Sequence, residues 1–235
     1  GVDEHIDVTL QFDRLSLENT NLMVLPGTKI TNVIETGAIE YFILGSAAAG
    51  SKGGGVTLNN ASLAFNGNGL IGATQFLMAG PPGLVPFIKA EAGSNTLSIG
   101  SQTNFAERVT VLVNDGASLE LTGTELSTRI EGNLNIATGG SLSLINNSVL
   151  SLLQNDNTQL PRTSVIGGSI ELDGINTELL LTAPEVIDGS IILQNGATLT
   201  IRERDTGSSS ISFLGDNLIT LDGPQTSIRG NPTAP

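Results

Sequence analysis

Cysteine and tryptophan are absent from this 235-residue sequence, histidine and tyrosine occur once each, and phenylalanine seven times. Without thiols there are no disulfides, no thiolate metal sites and no cysteine nucleophile. One histidine, His5, cannot make a two-histidine zinc site. A Ser-His-Asp triad would have to recruit it from the extreme N-terminal stretch, where chains usually fray. Basic residues are scarce as well: ten Lys and Arg stand against 23 Asp and Glu, a net charge of −13. A surface of that sign repels a polyanion, so nucleic acid is not an expected partner. The longest apolar stretches, such as Tyr41 to Leu44 and the small residues after it, fall well short of the ~20 residues of a membrane span, and no membrane insertion is expected. No basic segment followed by an apolar one opens the sequence, so a signal peptide is expected to be already removed or never present.

What is present is aliphatic and alternating. Apolar residues make up 39 % of the chain, enough for a core and too many for the low-hydrophobicity signature of disorder. They recur at every second position, as in Ile6, Val8, Leu10, Phe12, in Val109, Val111, Val113 and in Leu119, Leu121, which is the period of a strand. Asp-Gly at 115, 173, 188 and 222 and Asn-Gly at 66, 68 and 195 punctuate the runs and suit turns that need positive φ. The fold class is all-β.

The strands repeat a word. Asn59–Phe65, Asn114–Leu121, Thr138–Leu144 and Asn195–Ile201 each read as a turn with Gly or Asn, a small hydroxyl residue, then apolar-x-apolar; Ser94–Ile99, Ile175–Leu181 and Asn217–Leu221 are weaker copies. Taking Leu97, Leu119, Leu142, Leu179, Leu199 and Leu221 as the first inward residue of each copy gives steps of 22, 23, 37, 20 and 22. The 37 reads as two short turns with Leu160 between them. A unit of about 20 to 23 residues with two or three short strands predicts a right-handed parallel β-helix, in which no rung buries its own apolar face and stacked rungs bury a continuous one. Ser141, Ser143, Thr198 and Thr200 would then be uncharged outer positions, where stacked like charges would repel. The competing fold is an antiparallel β-sandwich, whose strands also alternate and recur. It has no reason to repeat one word at rung spacing.

The expected organisation is residues 1–44 as N-terminal strands, a cap or first rungs, 45–228 as rungs, and 229–235 as a C-terminal tail. Two stretches of loop composition, 45–55 and 79–86, interrupt the rungs, and the second lengthens the Leu63 to Leu97 step to 34.

In its turn-hydroxyl-Leu-x-Leu word, Asn-Gly corners, missing cysteine and scarce lysine, the sequence over roughly residues 56 to 223 resembles the secreted β-solenoids of bacterial surfaces: autotransporter passengers, filamentous-haemagglutinin-type exoproteins and strand-repeat adhesins. The resemblance implies an extracellular adhesive or structural rod and carries over no individual functional residue. The calcium-binding nonapeptide of repeat-in-toxin proteins is absent.

Candidates for chemistry are few. Asp3, Glu4, His5 and Asp7 form an acidic patch best read as a solvated end. Arg202-Glu203-Arg204-Asp205 is the densest charge cluster, with Arg202 and Arg204 on one face and Glu203 and Asp205 on the other, and Glu120 does not stack with it. It reads as charges paired on an outward stretch. The isolated Asp-Gly turns lack the six to eight converging oxygens of a calcium site. Asn60-Ala-Ser62 and Asn146-Asn-Ser148 match the glycosylation triplet, a match that chance supplies in Asn/Ser-rich chains. The hydroxyls do not keep the regular Thr-x-Thr of an ice-binding face. No catalytic, cofactor or metal residue is expected.

The ends of a β-helix expose unpaired N–H and C=O groups that recruit other chains. The opening strand places Ile6, Val8, Leu10 and Phe12 on one side, and these four are the expected assembly residues, adding to a neighbour's sheet head to tail. The expected role is an extracellular structural or adhesive solenoid, a subunit of a surface or matrix fibre such as a biofilm matrix, without enzymatic activity or cofactor. Its partners would be copies of itself, or a cell-surface or glycan ligand. The alternatives are a carbohydrate-active β-helix, whether lyase, hydrolase or phage tailspike, and a passive glycan-binding module.

Overall fold

The computed structural model describes residues 6–11, 14–17, 20–34, 41–44, 54–67, 75–77, 87–99, 104–153, 164–182, 186–202, 212–213 and 219–231. They form strands and short turns with no helix, and every strand pairing among them is parallel. An antiparallel sandwich does not fit this.

The strands fall into three columns. The first comprises β1 (Ile6–Leu10), β4 (Thr28–Ile34), β7 (Ser62–Gly67), the C-terminal part of β9 (Phe87–Ile99), β11 (Ala117–Thr122), β13 (Ser141–Ile145), β16 (Ser169–Asp173), β19 (Ile191–Gln194) and β22 (Ile219–Asp222). The second contains β2 (Arg14–Leu17), β5 (Tyr41–Leu44) and β8 (Gln75–Leu77), which pair with one another, then the start of β10 (Asn104–Val113), the start of β12 (Glu125–Ile136), β14 (Val149–Leu152), β17 (Glu178–Thr182), β20 (Thr198–Arg202) and β23 (Ser227–Asn231). The third is β3 (Asn21–Val24), β6 (Gly55–Asn59), the start of β9, the ends of β10 and β12, β15 (Val165–Ile166), β18 (Val186–Ile187) and β21 (Ser212–Phe213). From β13 onward each strand with a later partner pairs with the strand three places on. The chain visits the columns in turn and then returns to the first, one level along. This connectivity is compatible with a β-helix.

Alternation turns one residue in two toward the interior, and the registers stack these residues on their own kind. Val8, Ile30, Leu63, Leu97, Leu121, Leu144, Leu172, Leu193 and Leu221 lie opposite one another in sequence through nine levels of the first column. In the third column the run is Val24, Leu58, Ala90, Val113, Ile136, Ile166, Ile187 and Phe213. In the second it is Leu126, Leu150, Leu179, Leu199 and Ile228. The middle members of all three runs are buried in one continuous cluster. Full burial of each aliphatic side chain stabilises by about 1.5–3 kcal/mol, so the core needs few aromatics.

These registers correct the ladder drawn from the sequence. Leu97 pairs with Leu121, whereas Leu119 stands opposite Asn95. Leu142 pairs with Ile170 of the first column, while Leu179 and Leu199 belong to the second and Leu221 returns to the first. The step of 37 therefore crosses from one column to another, and Leu160 lies outside the described residues. Nor are the levels uniform: partners in the first column are separated by 22, 33, 34, 24, 23, 28, 21 and 28 residues, against the expected 20 to 23. Leu63 does pair with Leu97, at the step of 34.

Local expectations differ at four further places. Asn66 and Gly67 continue β7 opposite Val33 and Ile34 and make no turn. Gly55, expected in a loop, opens β6, where the Phe87 ring lies over it and occupies the space a Cβ would need. Arg229, Gly230 and Asn231, expected in a tail, extend β23 beside β20. Thr200 is buried although its neighbours Leu199 and Ile201 alternate with it, and its Oγ1 is satisfied by donating to Glu178 Oε1 at 2.7 Å. Residues 45–53 and 79–86, expected as loop excursions, lie outside the described residues.

Two corners are held by recurring devices. Between the first and second columns, Thr124, Ser148 and Thr177 occupy successive levels, each buried. Ser148 Oγ accepts from the Thr124 N–H at 3.1 Å and reaches the carbonyls of Ile145 and Leu121. Ala197 fills the same place one level on. The turns there use left-handed backbone at Asn146 and Asn147 and at Asn195-Gly196 (φ 51° and 88°), conformations that Asn and Gly tolerate best. Between the third and first columns, Gly140, Gly168 and Gly189 stack so closely that a Cβ on Gly168 would overlap the Gly140 carbonyl oxygen.

Candidate functional site

A parallel sheet offers partners two kinds of place, its outer faces and its unpaired edges. Along the outer face of the first column, Asp7, Lys29, Ser62, Thr96, Glu120, Ser143, Glu171, Ile192 and Thr220 lie opposite one another in sequence. Opposite charges meet at Asp7 and Lys29, and a neutral Ser143 separates Glu120 from Glu171, which keeps like charges off adjacent strands. Ser94, Ser118, Ser141 and Ser169 form a parallel row of hydroxyls. Glu120 thus lies in the first column and Arg202 in the second, opposite Thr182 and Asn231. Glu203, Arg204 and Asp205 lie outside the described residues, as do Asp3, Glu4 and His5. Among the described residues no three acidic or histidine side chains converge on a point.

The Asp-Gly and Asn-Gly pairs fold as turns at 115, 173, 195 and 222, with positive φ at Gly116, Gly174, Asn195, Gly196 and Gly223. At the corner between the first and second columns the turns at 173 and 195 border an open groove of about 570 Å³ lined by Ile145, Asn146, Asn147, Asp173, Gly174, Ile175 and Asn195. Asn195 Nδ2 donates to Asp173 Oδ1 at 2.6 Å and Asn146 Nδ2 to Thr122 Oγ1 at 2.9 Å, which fixes two of the amides. Ile175 stands 60 % exposed at its rim. The sequence flagged the turns but not that successive levels bring their amides together. Asn60 and Asn146, the triplet asparagines, are exposed on positive-φ turns.

The edges lie at the two ends of the columns. At one end β1 pairs with β4 alone among the described strands, and at the other β22 pairs with β19 alone and β23 with β20 alone. Most of the large apolar residues that stay exposed among the described residues lie at these ends, Ile6, Leu10, Met23 and Leu25 at the first and Ile219, Leu221 and Ile228 at the second, while Val165 and Ile175 are exposed on levels between them. Of the four expected assembly residues, the structure brings Ile6, Val8 and Leu10 onto one row of β1, with Ile6 56 % exposed; Phe12 lies outside the described residues. The opening row is readable in the sequence, whereas its counterpart on β22 and β23 is not, although Leu221 belongs to a copy of the repeated word.

No family model, curated protein or solved structure matches the chain.

Proposed function

We propose that the chain winds as a right-handed parallel β-helix and serves outside the cell as a structural or adhesive rod, a fibre subunit that adds copies of itself end to end by strand pairing. The observation that carries this reading is that, among the described strands, β1, β22 and β23 are each paired on one side alone and carry exposed aliphatic residues that continue internal ladders. Such an edge is a template for another chain unless charge or a covering element blunts it. Right-handed winding follows from the near-universal hand of parallel crossovers. A head-to-tail contact between unlike ends does not close on itself and yields a filament. The composition fits an exposed rod whose stability rests on aliphatic ladders and needs no disulfides.

Negative-stain microscopy of the purified protein tests the proposal. Filaments one molecule wide are expected, and deletion of residues 1–12 is expected to abolish them. Multimers of unchanged length after that deletion would show that the opening strand makes no junction.

A second reading, a passive saccharide-binding module, has the corner groove in its favour. Fixed amides and a carboxylate beside an exposed Ile175 suit a neutral, polyhydroxylated ligand, since such sites combine apolar contact with a few placed polar groups. Titration with neutral oligosaccharides, followed by NMR shifts of the Asn147 and Asn195 amides, decides it; unchanged spectra at millimolar sugar would remove it. Release of new reducing ends during the same titration would instead point to a glycan-cleaving enzyme.

A further inference from the structure

Resting on the end-to-end reading, we infer the register of the junction: β22 of one molecule pairs in parallel with β1 of a second copy so that Leu221 lies opposite Val8 and Ile219 opposite Ile6. Three independent features of the two edges select this register from its neighbours.

The first is column identity. Val8 and Leu221 are the first and last members of the same nine-level ladder, each in register with its neighbour throughout. Stacking Val8 on Leu221 repeats inside the junction the step that every internal level already makes, and it keeps the corners of both molecules aligned. Ile219 continues the adjoining run, opposite Ile191, and Ile6 opens it at the other end, opposite Thr28.

The second is the direction of the backbone groups. The Ile6 N–H donates to the Gly27 carbonyl, so Ile6 and Val8 turn their amides into the molecule and Asp7 and Thr9 turn theirs outward. At the far end the Asp222 carbonyl accepts from the Asn195 N–H, so the Ile219 and Leu221 amides turn outward. In a parallel ladder a residue bonds the two neighbours of the residue it faces. Leu221 facing Val8 therefore bonds Asp7 and Thr9, whose amides point outward and have no partner strand among the described residues. A one-residue slip fails this test and also turns every apolar side chain to the wrong face.

The third is charge. In the inferred register Asp7 faces Thr220 and Asp222 faces Thr9, so each carboxylate meets a hydroxyl. Slipping by two so that Ile6 faces Leu221 sets Asp7 directly against Asp222, an unfavourable like-charge pair. Slipping by two the other way leaves Ile6 beyond the end of β22 and displaces the corners by about 7 Å, two residues of strand rise.

The missing cysteines make the register directly readable. The variant Asp7→Cys/Thr220→Cys, oxidised mildly, is expected to give a ladder of covalent multimers on a reducing-agent-free denaturing gel, whereas either single variant stops at dimers. Residues opposite one another on adjacent strands sit about 4.8 Å apart, within disulfide reach, and a two-residue slip opens this to about 8 Å, outside it. Intramolecular bridging is impossible because the two ends are eight strand spacings, about 38 Å, apart. Thr9→Cys/Asp222→Cys is expected to link equally. As a second measurement, Thr220→Asp is expected to raise the critical concentration for assembly several-fold, and high salt to restore it. Preferential linking of Thr9→Cys/Thr220→Cys or of Asp7→Cys/Asp222→Cys overturns the register while leaving end-to-end assembly standing. Absence of multimers of the unaltered protein in light scattering overturns both.

Discussion

The hydroxyl oxygen of Ser148 lies 2.9 Å from the carbonyl oxygen of Leu121, 27 residues earlier and one level away. The same oxygen accepts from the Thr124 N–H and stands 2.6 Å from its own turn's Ile145 carbonyl. One buried hydroxyl thus serves a donor and two carbonyls at the corner between the first and second columns.

Ser148→Ala is accordingly expected to cost about 1–3 kcal/mol, the penalty for orphaning buried polar groups. Urea denaturation should show the midpoint falling, and Ser148→Thr should recover much of it because Thr124 and Thr177 hold the equivalent places.

In the middle of the longest ladder, Leu121 lies between Leu97 and Leu144 and is 2 % exposed. Leu121→Ala is expected to cost about 2–5 kcal/mol through lost burial and the cavity left behind, while the same change at the half-exposed Leu221 should cost well under half as much. Equilibrium unfolding of the two variants side by side checks the ratio.

Gly168 and Gly116 separate two reasons for glycine. A Cβ on Gly168 would overlap backbone of the neighbouring level, whereas one on Gly116 meets nothing within 4 Å and only the left-handed φ of 70° opposes it. Gly116→Ala should cost about 1–2 kcal/mol. Gly168→Ala should cost substantially more, or prevent folding, as read by circular dichroism and thermal melting.

Leu221→Lys places a charge at an apolar edge position, the device by which natural sheets block edge pairing. Assembly is expected to fail in sedimentation velocity, while stability changes by about 1 kcal/mol or less because the site is already exposed. Persistent filaments would move the junction away from β22.

Much of this architecture was legible from spacing. Period-two alternation marked the strands at Val109–Val113 and Leu119–Leu121, and the turn-hydroxyl-Leu-x-Leu word marked corners of two kinds, those before β11 and β13 that enter the first column and those before β17 and β20 that enter the second. What spacing does not carry is the column to which a copy of the word belongs. Leu142 and Leu179 carry the same word and point inward alike, yet they belong to different columns, because a level offers the chain two or three equivalent places for one local pattern. Asn95 was unreadable for a related reason. It occupies a position that Leu119 and Leu142 fill on later levels, and only the stacked backbone supplies its partners: the Ala61 N–H and the carbonyls of Ala92, Gly93 and Ser118. The corner groove was hidden too, since the Asn146 and Asn147 amides lie 49 and 48 residues before that of Asn195 in the chain and the Asp173 carboxylate lies 22 before it.

The stacked glycines at 140, 168 and 189 have a bearing on how such a molecule diversifies. They pin the seam between the third and first columns, where two residues join β15 to β16 and three join β18 to β19, and the buried hydroxyls pin the seam after it, whereas the connections from the second column to the third run over residues 153–164, 183–185 and 203–211. Extra sequence entering that connection displaces neither a stacked glycine nor a buried hydroxyl. Between strands of the second and third columns, evolution or an engineer could therefore hang a recognition peptide at the least cost to the stacked columns.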